Sequence, residues 1–162
     1  MPPLARRGLS PAETALAAAL FGQALEPGRV RIFALPCWRR AFTANGRLIV
    51  WPAAQALADF AAPETPVWRT AVLVHELTHV WQAQNGVNLA WAKLRAGDGA
   101  DAYRYDLAGA QGFSGLNIEQ QAMIVQHAYL AARGGPAPFP SSVYSAFLRA
   151  WPPAGEGSPY EV

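Results

Sequence analysis

The chain has 162 residues, of which 52% are hydrophobic and 15% are charged, and its formal net charge is +2. A chain of this length buries roughly 70% of the surface that it exposes when unfolded, so we expect one domain with a substantial core. The basic residues are too few and too scattered for a dedicated nucleic-acid-binding surface, the single cysteine, Cys37, excludes an intrachain disulfide framework, and no apolar run reaches the ~20 residues that span a bilayer.

The first predicted element is a helix over about residues 11–25. Ser10 has the position of an N-cap, Pro11 that of the first helical residue, and Glu13 completes a capping box. These signals favour a helix of the folded domain over a secretory signal peptide.

A small β element is predicted next. Residues 29–36 alternate arginine with Val, Ile and Phe, which is typical of a strand. Residues 37–52 have the pattern of a hairpin in which Asn45 and Gly46 supply the positive φ angles of a type I′ turn. A short helix is expected to follow at residues 53–60.

Two long helices are predicted in the second half of the chain. The first extends from about residue 66 to residue 85 and ends at Gly86. The second follows Asn117 as its N-cap and ends at Gly134. A further helix is expected over residues 87–96.

Together these elements predict an α+β fold. We expect residues 1–150 to form a single domain in which the small antiparallel β element packs on the two long helices. The last residues, 151–162, are rich in proline and glycine and are predicted to be a flexible tail.

The helix over residues 66–85 contains the pattern HExxH. His75 and His79 are four residues apart, so they lie on one helical face, where two imidazoles can bind one Zn²⁺. Glu76 is rotated from His75 by about 100° and can reach a water on the metal, which is the position of a general base in metal-assisted hydrolysis. Because the flanking residues are apolar, unpartnered His and Glu side chains would be costly here. The alternatives are a structural or vestigial metal site and a packed histidine pair without metal.

A catalytic zinc site needs a third protein ligand. Gln82 and Asn85 exclude the extended motif HExxHxxGxxH, which requires Gly and His at these positions. Glu119, in the first turn of the second long helix, is the predicted third ligand; the alternative is an acid that only interacts with the helix dipole. His127 lies about two turns beyond Glu119 on the same side and competes for the ligand role. Two weaker candidates are Asp101 and Asp106.

Three side chains are the main candidates for a donor of a hydrogen bond to an oxyanion that develops beside the metal: His127, Tyr103 and Tyr105. Arg104 is a further candidate, which could instead bind a substrate carboxylate. Residues 102–107 are expected to be extended, as an edge strand that could pair with a peptide substrate. For each of the three side chains, the alternative is ordinary packing.

The stretches "HELTHVWQ" and "NIEQQA" resemble the zincin metallopeptidases of the gluzincin type. The longer stretches "HELTHVWQAQNG", "YRYDL" and "NIEQQAMIV" are similar to small bacterial Vgr/Rhs-associated proteins of contractile secretion systems. The resemblance covers roughly residues 66–132 and implies zinc as the cofactor, with Glu76 as the base and, as ligands, His75, His79 and Glu119. Met123 stands where the best-known gluzincins have an aspartate, so support for the ligands must come from elsewhere.

The sequence therefore predicts a zincin-like, zinc-dependent hydrolase, a metallopeptidase that acts on a peptide or protein substrate. The alternatives are a catalytically weak or inactive metal-binding adaptor of a secretion system and a peptidoglycan amidase. The resemblance also implies secretion-system proteins as partners, and a location in the cytoplasm with export through a dedicated secretion system. Nucleic acid is not expected as a partner, and no membrane span is expected.

Overall fold

The computed structural model describes residues 1–97, 99–110 and 112–150. Within these ranges the chain forms a four-stranded sheet and six α-helices, so the predicted α+β class is confirmed. The strands are β1 (Arg6–Gly8), β2 (Arg31–Leu35), β3 (Phe42–Asn45) and β4 (Leu48–Pro52). The helices are α1 (Pro11–Phe21), α2 (Val67–Gln84), α3 (Leu89–Ala96), α4 (Ala100–Tyr103), α5 (Ile118–Ala131) and α6 (Ser141–Phe147). The tail predicted over residues 151–162 lies outside the described residues.

The sheet is mixed, whereas the sequence predicted an antiparallel one. Its strand order is β1-β2-β4-β3; β1 and β3 pair antiparallel with their neighbours, while β2 and β4 pair parallel. The hairpin between β3 and β4 forms as predicted, but its return strand lies beside β2. The burial of the strands explains this order, because the apolar side chains of β4 are buried and β3 is largely exposed. A strand with apolar side chains buries more of their surface at the centre of a sheet than at its edge, so β4 takes the inner position and β3 lies at the edge.

The hairpin turn differs from the predicted type I′ turn. Neither Asn45 nor Gly46 has a positive φ angle. Instead, a Cβ atom at Gly46 would lie 3.1 Å from Cγ of Gln84, and Gln84 Nε2 donates a hydrogen bond of 2.8 Å to the Gly46 carbonyl oxygen. Glycine is therefore needed here because the turn packs closely against the end of α2.

The capping box at the start of α1 is confirmed. Ser10 Oγ accepts a hydrogen bond from the Glu13 amide (3.0 Å), and the Glu13 carboxylate accepts one from the Ser10 amide (2.8 Å). Glu13 is fully buried and also accepts two hydrogen bonds from Arg7 and one from the amide of Phe60. This one carboxylate therefore connects β1, α1 and the segment that precedes α2.

Helix α2 is the central helix of the molecule. Leu73, Val74, Leu77 and Val80 are fully buried in a core that also contains side chains from α1, β2, β4, α5 and α6. The helix packs chiefly on α5 and also on β3. Its end near Gly86, which has a φ angle of 92°, agrees with the sequence prediction. Among the described residues, no helix combines the length and the apolar character needed to cross a membrane.

The segments around α2 and α5 depart from the prediction in two places. Residues 53–60 form only a short 3₁₀ helix, Ala53–Gln55. The extended segment predicted over residues 102–107 is also wrong at both ends, because α4 continues to Tyr103 and a turn begins at residue 107; Arg104, directly after α4, has an extended backbone. Tyr103 therefore lies at the end of a helix and not in an extended segment.

Candidate metal centre

Three buried side chains from two helices meet at one point. His75 and His79 come from consecutive turns of α2, and Glu119 comes from the first turn of α5. Nε2 of His79 lies 3.2 Å from Nε2 of His75 and 3.2 Å from Oε2 of Glu119. Nε2 of His75 lies 3.4 Å from the same carboxylate oxygen. The structure thus brings together the three residues for which the sequence predicted a ligand role.

The start of α5 determines where Glu119 lies. Asn117 is the N-cap of α5, and its side-chain oxygen accepts hydrogen bonds from the amides of Glu119 and Gln120, each 2.9 Å long. Gln120 completes a capping box with Asn117. The helix therefore begins at a defined residue, and its second residue, Glu119, meets the histidine face of α2.

The three side chains fit a zinc ion in number, chemistry and spacing. Ligand atoms about 2.0–2.1 Å from a tetrahedral zinc ion lie about 3.3 Å from one another, and the observed separations are 3.2–3.4 Å. Two imidazoles and one carboxylate are the ligand set of many catalytic zinc sites, in which the fourth position is open. Within the described part of the chain, Nδ1 of His75 has no hydrogen-bond partner.

A glutamine holds the second histidine in the orientation that a metal ligand needs. Gln82 is fully buried; its Nε2 donates hydrogen bonds to the Ile118 carbonyl oxygen (3.0 Å) and to Oε1 of Gln121 (2.9 Å). Its Oε1 therefore faces Nδ1 of His79, 2.7 Å away, and can only accept a hydrogen bond. When the ring is neutral, as it is in a metal ligand, the proton of His79 consequently resides on Nδ1, which leaves the Nε2 lone pair directed at Glu119 and His75. Only a doubly protonated ring, without a metal, donates from Nε2 to Glu119.

Glu76 is held beside the cluster by a contact with the edge strand. It is buried, and its Oε2 accepts a hydrogen bond of 2.8 Å from the hydroxyl of Thr43 on β3. That hydroxyl also lies 3.0 Å from the Glu76 carbonyl oxygen. Thr43 thereby fixes the carboxylate predicted as the general base.

The two histidines keep Glu119 ionised. Burial by itself would raise the pKa of the Glu119 carboxyl, but hydrogen bonds and charge from His75 and His79 outweigh burial and hold this pKa well below its usual range. Nζ of Lys93, the single lysine of the chain, lies 3.8 Å from the other carboxylate oxygen of Glu119. The cluster therefore presents a carboxylate, which is the form that binds a metal.

Two adjoining cavities open on the cluster. One, of about 290 Å³, is lined by all three cluster residues together with Glu76, Lys93 and Tyr103. The other, of about 360 Å³, adjoins His75 and Glu76 and extends toward Arg69. The cluster thus lies at the bottom of a cleft that a substrate can enter.

Of the three predicted oxyanion donors, only Tyr103 lines this cleft in the part of the chain that the structure describes. Its ring lies 6.5 Å from that of His75, and its hydroxyl accepts a hydrogen bond of 3.1 Å from Nη2 of Arg40. The short helix α4, which the sequence did not predict, carries Tyr103 to this position.

Tyr105 and His127 bind each other. The Tyr105 hydroxyl lies 2.6 Å from Nδ1 of His127 and 2.6 Å from the hydroxyl of Tyr144 on α6. Burial, followed by the nearby charge of His75, lowers the pKa of His127. Burial, followed by the contact with Tyr144, raises the pKa of Tyr105 far above its usual value. The catalytic role predicted for these two residues stays a prediction, since neither lines the described walls of the cleft.

The two aspartates considered as weaker ligands are exposed. Asp101 pairs with Arg104 at 3.0 Å, and Asp106 accepts a hydrogen bond from the Ala108 amide. Neither belongs to the cluster.

The sequence reasoning missed the roles of Thr43, Gln82 and Lys93. Gln82 follows His79 by three residues, a helical spacing that places the two side chains within reach of each other, so a signal was present. Thr43 contacts Glu76 across 33 positions in the sequence, and Lys93 belongs to another helix, so no local pattern indicates either contact.

The comparison with known proteins relates the chain to a secretion apparatus. No family model matches it. It is 31% identical over 135 residues, 78% of its length, to the type VI secretion system spike protein VgrG2b of Pseudomonas aeruginosa. The aligned region is 13% of that much longer protein. A solved structure of the effector domain of Pseudomonas aeruginosa VgrG2b covers 90% of this chain and 83% of the domain, with a TM-score of 0.70 and 28% identity.

The Vgr-associated part of the predicted resemblance is therefore confirmed, and the chain is homologous to the effector domain of VgrG2b. The names of these similar proteins refer to a spike and to an effector, and they name neither a metal nor a peptidase.

Proposed function

We propose that this chain is an effector-type domain that acts with a type VI secretion system and hydrolyses peptide bonds by means of a bound zinc ion. Similarity to VgrG2b supports the first half of the proposal. The second half is supported by one observation, the meeting of His75, His79 and Glu119 beside the buried carboxylate of Glu76 in an open cleft. By the same similarity we propose that its partners are secretion-system proteins and that it is exported through that system.

The proposed chemistry assigns a task to each side chain of the site. His75, His79 and Glu119 would hold the zinc ion, which, when bound, polarises a carbonyl group and lowers the pKa of a water molecule. Glu76 accepts the proton of the attacking water and later delivers it to the leaving amine. The Thr43 hydroxyl keeps Glu76 in place during both transfers.

Two further groups shape the reaction. Tyr103 lines the same cleft, and its phenol is the proposed donor to the oxyanion. Gln82 supplies support for the ligands, which in the best-known gluzincins comes from an aspartate at the position of Met123. In this chain the proposed support for His79 thus comes from Gln82, a residue of the same helix, α2.

A second candidate function is a metal-binding adaptor that does not hydrolyse its partner. The similarity to VgrG2b favours a role in secretion more directly than it favours hydrolysis, because the names of the similar proteins describe an assembly and no reaction. The absence of an acid at Met123 is compatible with this candidate. A peptidoglycan amidase would use the same site on another substrate.

The decisive experiment compares the full chain with its Glu76→Gln and His75→Ala variants. Elemental analysis of the wild type should give one zinc ion per chain, retained by Glu76→Gln and lost by His75→Ala. Hydrolysis of an unfolded protein substrate and of purified peptidoglycan should fall by a factor of about 10²–10⁴ in Glu76→Gln, since this is the usual contribution of a general base.

Glu64→Gln is the matched control, because Glu64 is an exposed glutamate outside the cleft. A zinc-loaded wild type that cleaves neither substrate would favour the adaptor, and a wild type without zinc would contradict both candidates. Unchanged hydrolysis in Glu76→Gln would contradict the assignment of the base.

A further inference from the structure

The larger of the two cavities adjoins the proposed reaction centre, and the side chains that line it indicate which chemical groups it can bind. It has a volume of about 360 Å³, and it shares His75 and Glu76 with the metal-binding cluster. A substrate whose scissile bond lies at the cluster can therefore direct a neighbouring group into this cavity, where the walls of the cavity would contact it.

The charge of these walls is strongly unbalanced. Three arginines line the cavity, and Glu76 is the one carboxylate among its described lining residues. Glu76 is already bound to Thr43. Within the described ranges, the guanidinium groups of Arg39, Arg40 and Arg69 make no ion pair with any carboxylate. These arginines thus retain their capacity to pair with a ligand.

Aromatic contacts hold two of these arginines in place. The guanidinium of Arg40 lies 5.9 Å from the ring centre of Tyr103 and donates a hydrogen bond to its hydroxyl. The guanidinium of Arg69 lies 5.2 Å from the ring centre of Trp68. Side chains oriented in this way lose less conformational entropy when they bind a carboxylate.

Apart from these charged groups, the walls of the cavity combine apolar side chains, from Trp51, Val72 and Met123, with the neutral amides of Gln55 and Gln126. An apolar wall beside guanidinium groups matches a side chain that has methylene groups and ends in a carboxylate. Guanidinium groups bind carboxylates through paired hydrogen bonds, which gives both strength and selectivity.

We propose that this cavity is the subsite for a substrate carboxylate, so that the domain acts on peptides with an acidic group next to the scissile bond. This inference rests on the proposed function for its position relative to the bond that is cut. The carboxylate can belong to an acidic side chain or to the end of a peptide, and the chemistry of recognition is the same.

The test measures binding separately from hydrolysis, in the zinc-loaded Glu76→Gln protein. The probes are acetylated and amidated alanine–glycine octapeptides that contain one Glu, one Gln or one Lys, and an alanine–glycine peptide with a free carboxyl end. Titrations followed by NMR should show the Glu peptide bound roughly tenfold or more tightly than the Gln peptide, because hydrogen bonds to charged groups are strong.

Charge variants then assign this preference to the cavity. Arg69→Gln and Arg40→Gln, each added to Glu76→Gln, should reduce the preference for Glu, and Arg69→Glu should shift it toward Lys. Arg6→Gln is the matched control, because Arg6 is exposed on β1 at the opposite edge of the sheet and its loss changes the net charge equally.

The proposal would be overturned if neither the Glu peptide nor the peptide with the free carboxyl end binds more tightly than the Gln peptide, or if a preference for a carboxylate persists in both the Arg40 and Arg69 variants. A gain for the peptide with the free carboxyl end, with none for the Glu peptide, would support a carboxylate subsite and identify its source as a peptide terminus. The arginines lie outside the zinc ligand set, so a protein that binds the Glu peptide without hydrolysing any substrate would contradict the proposed function alone.

Discussion

At the scale of single residues, we expect the hydrogen bond between Gln82 and His79 to affect zinc affinity more than any other contact made by a residue that does not itself bind the metal. Gln82→Met removes the acceptor of the Nδ1 proton and frees the imidazole to rotate. We expect the affinity for zinc to fall by about 10- to 100-fold. Competition with a zinc-binding dye at neutral pH measures this change.

Gln121→Met is the control for that prediction. Gln121 accepts a hydrogen bond from Gln82 but does not contact His79. Its replacement should therefore cost some stability while most of the zinc affinity is kept. An equal loss of affinity in both variants would show that general loosening of the helix contact, and not the orientation of His79, is responsible.

The site shows which residue roles can be predicted from a sequence. His75, Glu76 and His79 share one helical repeat, and Glu119 follows a clear N-cap, so periodicity and capping were enough to predict that they would meet. Thr43 could not be predicted, because its contact with Glu76 depends on β3 lying at the sheet edge beside α2. Helical spacing indicates neighbours within one element, and it says nothing about contacts between distant elements.

At the scale of elements, the capping box of α1 should contribute measurably to stability. Ser10→Ala removes the acceptor for the Glu13 amide, and such N-cap losses usually cost about 1 kcal/mol. Urea denaturation of the two proteins gives the difference in the free energy of unfolding. Ser142→Ala is a suitable control, since Ser142 is exposed on α6 and should change the free energy little; an equal loss there would contradict a specific role of the cap.

The burial of His127 on α5 should make stability depend on pH. Burial and the charge of His75 lower the pKa of His127 in the folded protein below its value of about 6.5 in the unfolded chain. The unfolded chain therefore binds the proton more tightly, so stability is present above about pH 6.5 and is lost as the pH falls through the lowered folded pKa.

His127→Gln should remove this part of the pH dependence. Urea denaturation from pH 7.5 to pH 5, in the presence of a chelator, should give a shallower fall in stability for the variant than for the wild type. The cluster residues are the same in both proteins, so the difference between the two curves reports His127. Parallel curves would contradict the expected shift.

The elements themselves were predicted unevenly. Helices α1 and α5 have side-chain N-caps, and α2 has a long apolar pattern that ends near Gly86. The bounds of α2 and α5 were close to the prediction, and α1 begins where it was predicted but ends at Phe21 instead of residue 25. The sequence did not predict the pairing of β2 with β4, because strand order depends on the competition of strands for the buried centre of the sheet. It also did not predict α4, because a four-residue helix has too few residues to show a helical period. The position of a strand within the sheet is therefore better predicted from the burial pattern along the strand than from the order of the strands in the chain.

At the scale of the whole molecule, zinc should stabilise the fold. The cluster connects α2 and α5, which make the main helix contact of the core, so an ion bound only by the folded chain adds its binding energy to stability. At a free zinc concentration about 1,000 times the dissociation constant, the free energy of unfolding should rise by about 4 kcal/mol relative to chelator.

Urea denaturation with and without zinc measures this rise, and His75→Ala should show none of it. Magnesium serves as the second control, because it prefers oxygen ligands in octahedral geometry and should leave the wild type unchanged. A wild type that zinc does not stabilise would contradict metal binding at the cluster.

Part of the cleft wall comes from outside the two helices that carry the ligands. Helices α2 and α5 carry His75, His79 and Glu119, whereas Lys93 and Tyr103, which line the cleft, lie in the connection over residues 85–117. Lengthening such a connection costs little entropy, about 0.6 kcal/mol per doubling. This part of the cleft wall can therefore change in length and sequence while the helix pair that carries the cluster stays constant, so proteins that share the helix pair can differ in the ligands that their clefts accept.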